Sequence, residues 1–261
     1  MTSPVHTYST GQTLTSLMIG MTIAMFIIAV AGRVYLQSKR TFIARAALSS
    51  VNENGRFALQ ELRRTLSMAG MGIDAREAGN RASSAIAPVG RSGTVEGAGL
   101  KSDATAVRYR RGTTCSRYID RKNTDTPATI NLLIRDNQLK CRLDAGRSQP
   151  LVSGIKMMKI LYGFDDTNDG YANRYLTAKE IEKIAITASQ STAWQRIVSF
   201  HVGLLVFSSN YSLPVGMRAK TDTLLQLPGL EYAVLAGDKY LYKVFSTTIY
   251  LRNLNTVLQA Q

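Results

Sequence analysis

Few residues in this chain have both the type and the spacing that chemistry demands. Asp165, Thr167 and Asp169 stand at alternate positions and Gly170 follows them, which is how a calcium loop begins, with oxygen ligands at places one, three and five and glycine at six. Place twelve, where such a loop needs a bidentate glutamate, is Leu176. An EF-hand is not expected; a looser oxygen cage or a polar turn between two strands remains. The run GMGIDA at 70–75 fits Gly-x-Gly-x-x-Ala, but a dinucleotide fingerprint follows a strand and opens a helix. This one closes a helical stretch and reads as its cap and exit loop. His201 sits inside the apolar run SFHVGLLVF, the setting of a structural histidine rather than a general base. Trp194 reads as a core or sheet-edge anchor. The chain has neither Gly-x-Ser-x-Gly nor His-Glu-x-x-His, the spacings that place a nucleophile or a hydrolytic zinc. No enzyme, cofactor or metal site is expected.

Two cysteines, Cys115 and Cys141, and two histidines, His6 and His201, complete the soft-ligand inventory, too few for a four-ligand zinc centre. A Cys115–Cys141 disulfide is expected rather than two buried thiols. Closing the loop between them would contribute about 3–4 kcal/mol in the chain-entropy model, and it requires an oxidising compartment.

The strongest charge signal is a net +14. Residues 101–147 carry 11 Lys or Arg against 5 Asp, with Tyr109 and Tyr118 interleaved. Arg108, Arg110, Arg111, Arg117, Arg121 and Lys122 form a candidate DNA-contacting set, since clustered cations with aromatics can hold phosphates without reading sequence. A solvated face, or pairing with acidic neighbours, fits the same residues.

These groups must be carried by elements that the hydropathy pattern outlines. Residues 14–32 are apolar apart from Thr15, Ser16 and Thr22, and no Asp, Glu, Lys or Arg precedes Arg33. Such a helix rises about 28 Å, close to the hydrocarbon thickness of a bilayer. A secretory signal peptide would need a basic start, a shorter apolar run and a small-x-small cleavage site directly after it; here the start carries no Lys or Arg and the run is followed by Arg33, Val34 and Tyr35. Leu48, Val51, Gly55, Leu59, Leu62, Leu66 and Ala69 then recur at spacings of three and four, an amphipathic stripe. Lys39, Arg40, Arg45, Glu53, Arg56, Glu61, Arg63 and Arg64 occupy the other faces. One helix is expected over 13–69, about 85 Å long, stopping at Gly70 and Gly72.

Residues 71–100 are rich in Gly, Ala and Ser and read as a connecting loop. Beyond them, 105–110, 116–120, 129–135, 153–164, 196–209 and 242–253 read as strands, with a hairpin turning at Asp136 and Asn137. Strands in series favour an antiparallel sheet covered by the helix, hence an α+β fold with a β-rich domain over 101–261. Topology stays open at this level. Arg33, Lys39, Arg40 and Arg45 after the apolar run favour a cytoplasmic body by the positive-inside rule, whereas a disulfide favours export.

A short leader ending in Gly11, then a polar start, an apolar half-helix and an amphipathic half-helix resembles the class III signal and N-terminal helix of type IV prepilins. The family junction reads G-F-T-L-I-E; here residues 11–16 are G-Q-T-L-T-S, so the phenylalanine is Gln12 and the glutamate is Ser16. Three stretches resemble the PilW family of minor pilins: NENGRFALQELRRTLSMAGMG at 52–72, TAWQRIVSFHVGLLVFSS at 192–209 and YKVFSTTIYLRNL at 242–254. The resemblance implies cleavage between Gly11 and Gln12 by prepilin peptidase and a single-pass inner-membrane anchor. It also implies a periplasmic C-terminal domain and later incorporation into a cell-surface pilus. Its partners would be the major pilin and other minor pilins, its role priming or tip placement, and DNA a further candidate ligand. A type II secretion pseudopilin, which shares the layout, is the alternative within the class. A DNA-binding subunit for DNA uptake or a membrane-anchored sensor lies outside it.

Overall fold

The computed structural model describes residues 14–73, 85–90, 93–110, 112–115, 127–187 and 193–253. Helix α1 (Leu14–Leu66) is a single run of 53 residues, about 80 Å long. Its buried positions are Ala47, Val51, Gly55, Ala58, Glu61, Leu62, Thr65 and Leu66. The stripe is thus turned slightly from the expected one: Leu48 is 46% exposed, while Ala47 and Ala58 are fully buried. Close approach is the reason. A Cβ on Gly55 would overlap the ring of Phe245, and small residues line the face that meets the sheet.

The helix unwinds through a turn over 67–72, where Gly70 (φ 80°) and Gly72 (φ 70°) take the left-handed conformation that ends helices at low cost. Asn253, far away in sequence, donates from Nδ2 to the carbonyls of Ser67 (3.1 Å) and Ala69 (3.3 Å), which satisfies helix-end acceptors.

Two four-stranded antiparallel sheets follow, where one was expected. The first is a meander of β1 (Thr105–Tyr109), β2 (Ala128–Arg135), β3 (Gln138–Leu143) and β4 (Ser148–Ser153). Its β2–β3 turn is made by Asp136 and Asn137, both at φ 56°, the backbone of a two-residue hairpin loop. At Gly154 (φ 76°) the chain leaves this sheet, so the stretch expected as one strand over 153–164 is divided there. The second sheet has the order β10-β7-β5-β6, built from β5 (Ile155–Phe164), β6 (Arg174–Leu176), β7 (Ile197–Phe207) and β10 (Tyr242–Tyr250). Between β6 and β7 lies α2 (Ala178–Thr187). The hairpin of β8 (Thr223–Leu227) and β9 (Leu230–Val234) turns at Pro228 and Gly229.

Alternation assigns the two faces of the second sheet. Phe200, Val202, Leu204, Met158, Ile160, Tyr162 and Ile249 join the main core with Val51, Ala58, Leu62 and Leu66 of α1. Met157 and Leu205 point the other way and are covered by Leu227, Leu225, Leu230 and Tyr232 of the β8–β9 hairpin. α1 and β10 run side by side in the same direction: Asn52 accepts from Lys243, Gly55 meets Phe245, and Arg63 donates to Thr247.

Part of the expected 71–100 loop is woven into the fold. Ile86 is fully buried and bridges Val107, and Val95 bridges Ala104. The strand expected at 116–120 lies outside the described residues.

Candidate functional site

The distinguishing surface of the molecule is the first half of α1. Every residue from 14 to 40 is exposed, including Leu17, Met18, Ile19, Met21, Ile23, Met25, Phe26, Ile27 and Ile28, each at least 52% accessible. The helix is long and apolar enough to cross a membrane. So large an apolar face on a folded chain marks contact with lipid or other helices. Within it the Thr22 hydroxyl donates to the Ile19 carbonyl at 2.8 Å, and further along Thr41 does the same to Gln37 at 3.0 Å. Ser16 lies on this exposed stretch; Gly11 and Gln12 lie outside the described residues.

The domain at the other end is braced by a Cys115–Cys141 disulfide, S–S 2.00 Å and Cα–Cα 5.5 Å. It ties β3 to the segment that follows β1, where Thr113 accepts from Arg64 of α1 at 3.3 Å and Tyr109 donates to the Thr113 carbonyl at 2.7 Å.

The candidate DNA-contacting residues divide. Arg108 is half-buried on β1, where burial lowers its pKa from the usual arginine value and the nearby Asp144 charge opposes the shift. Arg110 is also half-buried, turned towards the Gly72 carbonyl at 3.4 Å. Both are integrated at the exit of α1 rather than displayed. Arg111, Arg117, Arg121 and Lys122 lie outside the described residues.

The Asp165 loop has a different occupant from the one its spacing suggested. The Asp165 carboxylate is buried and accepts from the backbone N–H groups of Thr167 (3.1 Å), Asn168 (2.6 Å), Asp169 (3.3 Å) and Gly170 (2.7 Å). Its lone pairs hold a tight turn between β5 and β6, as aspartates do in Asx-turns. Among the described residues no three His, Cys, Asp or Glu side chains converge as a metal would need. His201 Nδ1 pairs with the Thr248 hydroxyl at 3.0 Å across the β7–β10 ladder, a structural role. Trp194 is buried, edge-on to Tyr162 at 5.7 Å, with Nε1 donating to Glu182 at 2.9 Å.

One polar centre was not visible in the sequence. Asp103 and Lys159 form a buried ion pair at 3.1 Å. Asp103 also accepts from the N–H groups of Ile160 and Gly97, both at 2.9 Å, and Lys159 donates to the Gly97 carbonyl at 2.7 Å. Burial holds the Asp103 carboxyl above the usual carboxylate range against the pull of those amides and Lys159. The pair fixes the segment before β1 to β5. Its partners are 56 residues apart in sequence, which is why no local pattern announces it.

An apolar half-helix standing clear of a disulfide-braced α+β domain, with its second half fused to that domain, defines a pilin-type subunit. The family model for type IV pilus-assembly protein W, PilW, matches residues 118–253, just over half of the chain, and the chain belongs to that family. It is a family of structural, non-enzymatic proteins that act with other pilus components. A solved type IV-like pilin from Thermus thermophilus is similar over 78% of this chain and 96% of its own, at 12% identity and a TM-score of 0.44. No curated protein matches the chain in sequence.

Proposed function

We propose that this chain is a low-copy pilus subunit that primes assembly of a type IV pilus and sits at or near its tip. Residues 1–11 are its leader, removed between Gly11 and Gln12 by prepilin peptidase. α1 first anchors it in the inner membrane with the domain in the periplasm, and the same apolar face later packs against neighbouring helices in the filament. An all-round apolar helix serves both environments, since lipid tails and packed side chains place similar demands on it.

The observation that carries this reading is the fully exposed apolar stretch over 14–32 with Ser16 on it. Where related pilins place a glutamate to pair with a neighbour's N-terminal amine, Ser16 offers a neutral hydroxyl. A hydroxyl can satisfy itself on a carbonyl one turn back, as Thr22 does on Ile19, but it cannot neutralise a buried amine, which is costly when unpaired. Repeated insertion along a shaft is therefore disfavoured, and an end position is not.

Immunogold labelling of sheared pili tests the placement: label confined to ends is expected, and label along the shaft overturns it. Intact-mass measurement with and without prepilin peptidase tests the leader, since equal masses are incompatible with cleavage after Gly11.

A further inference from the structure

Sheets end in strands with unpaired N–H and C=O groups, and folded proteins close such edges. Of the four edges of the two four-stranded sheets, three are closed by identifiable devices. The outer edge of β1 is taken by residues 85–87 and by the exit of α1: Ala87 donates to Ala106, Arg108 to Ala85, and Gly70 to the Arg108 carbonyl. β4 carries Pro150, which has no N–H to offer, opposite a bulge at Leu139 and Lys140. The outer edge of β5 is capped by Ser102 and Asp103, which bond Met158 and Ile160, before the three-residue β6 takes over.

β10 lacks any such device among the described residues. Leu251 donates to Val198, and the Leu241 carbonyl accepts from Ser208, so the odd-numbered residues bond to β7 and the even-numbered ones turn their backbone groups outwards. Tyr242, Val244, Ser246, Thr248 and Tyr250 thus offer a free ladder over nine residues, about 30 Å. No charged residue lies between Lys243 and Arg252. At its far end the edge opens into a groove of about 510 Å³ between β10 and the end of α1, lined by Met68, Met71 and Ile249 and flanked by Arg63 and Arg252.

We propose that the outer edge of β10 receives an extended strand from a different pilus subunit, one with an acidic side chain placed to meet Arg63 and Arg252. The ladder supplies main-chain hydrogen bonds, the groove takes an apolar side chain, and the guanidinium pair sets the register, the division of labour in strand addition. Charge argues against a second copy of this chain. No Asp or Glu follows Asp238, so the β10 strand of a second copy has no acid to bring against Arg63 and Arg252. The inference rests on the chain assembling with other pilus components.

The test uses the full-length chain in piliated cells, with a benzophenone amino acid at Ser246 or Tyr250 and, separately, at Phe26. The expected result at Ser246 and Tyr250 is a photo-adduct with one different subunit. Ser246→Pro removes an outward N–H and leaves the β7 ladder whole, so adduct yield from Tyr250 falls about tenfold while the disulfide still forms. Arg252→Glu, at an exposed site that does not test folding, lowers the yield several-fold. An adduct with twice the mass of this chain, a product confined to its own residues 254–261, or an undiminished yield in both variants overturns the proposal. Adducts from Phe26 with none from β10 overturn the strand alone; none from either position removes the assembly reading with it.

Discussion

Within α1, residues 14–40 are exposed without exception, and from Ala47 onward one side of the same helix is sealed against a sheet. Glycine marks the difference most sharply. A Cβ on Gly20 or Gly32 would meet nothing, whereas a Cβ on Gly55 would run into Phe245. The first half keeps its space for neighbours that are not in the chain, and the second half has already spent its space on the domain. Substitutions in the two halves should therefore act on different properties, assembly in one and folding in the other.

The largest contrast should come from apolar truncation. Leu62→Ala, at a fully buried site, is expected to cost about 2–5 kcal/mol of domain stability, and Met25→Ala less than about 0.5 kcal/mol. Urea unfolding in detergent, followed by the fluorescence of Trp194, the single tryptophan, measures both. Equal effects would erase the distinction between the halves. Next, replacing Cys115 and Cys141 together by serine should cost about 3 kcal/mol, because their bond holds the segment against which the end of α1 rests; reductant should reproduce the loss in the parent chain. Gly55→Ala should cost about 1–3 kcal/mol and recover part of it when combined with Phe245→Leu, while Gly20→Ala should be neutral or raise helicity slightly. The smallest effect concerns the helix end. Asn253→Ala removes two hydrogen bonds to carbonyls after Leu66 and should cost about 1 kcal/mol, visible as faster amide exchange over 67–71.

How much of this was legible in the sequence follows from whether the cause was local. The span of α1, its glycine stop, the Asp136–Asn137 hairpin and the three long strands of the second sheet announce themselves through spacing and turn chemistry. α2 carries its own local signal: Thr177 and Glu180 make a capping box, with Glu180 N–H at 3.4 Å from the Thr177 hydroxyl and Thr177 N–H at 2.7 Å from the Glu180 carboxylate. The β8–β9 hairpin had its Pro-Gly turn, a standard breaker pair. Other features were hidden for physical reasons. β4 contains Pro150 and three polar residues and is a strand only because β3 pairs with it. The division into two sheets depends on a single positive φ at Gly154. The Asp103–Lys159 pair and the amide-filled Asp165 carboxylate depend on contacts or backbone geometry that residue types alone do not fix.

The side-by-side course of α1 and β10 has a mechanical consequence. Part of a pull applied along the helix reaches the domain through Asn52, Gly55, Arg63 and the carbonyls near Leu66, all of which act on β10 or its continuation at Asn253. The load therefore runs parallel to the strand. The nine paired positions between β10 and β7 meet it in shear and must yield together, whereas a strand pulled across its axis would unzip one pair at a time.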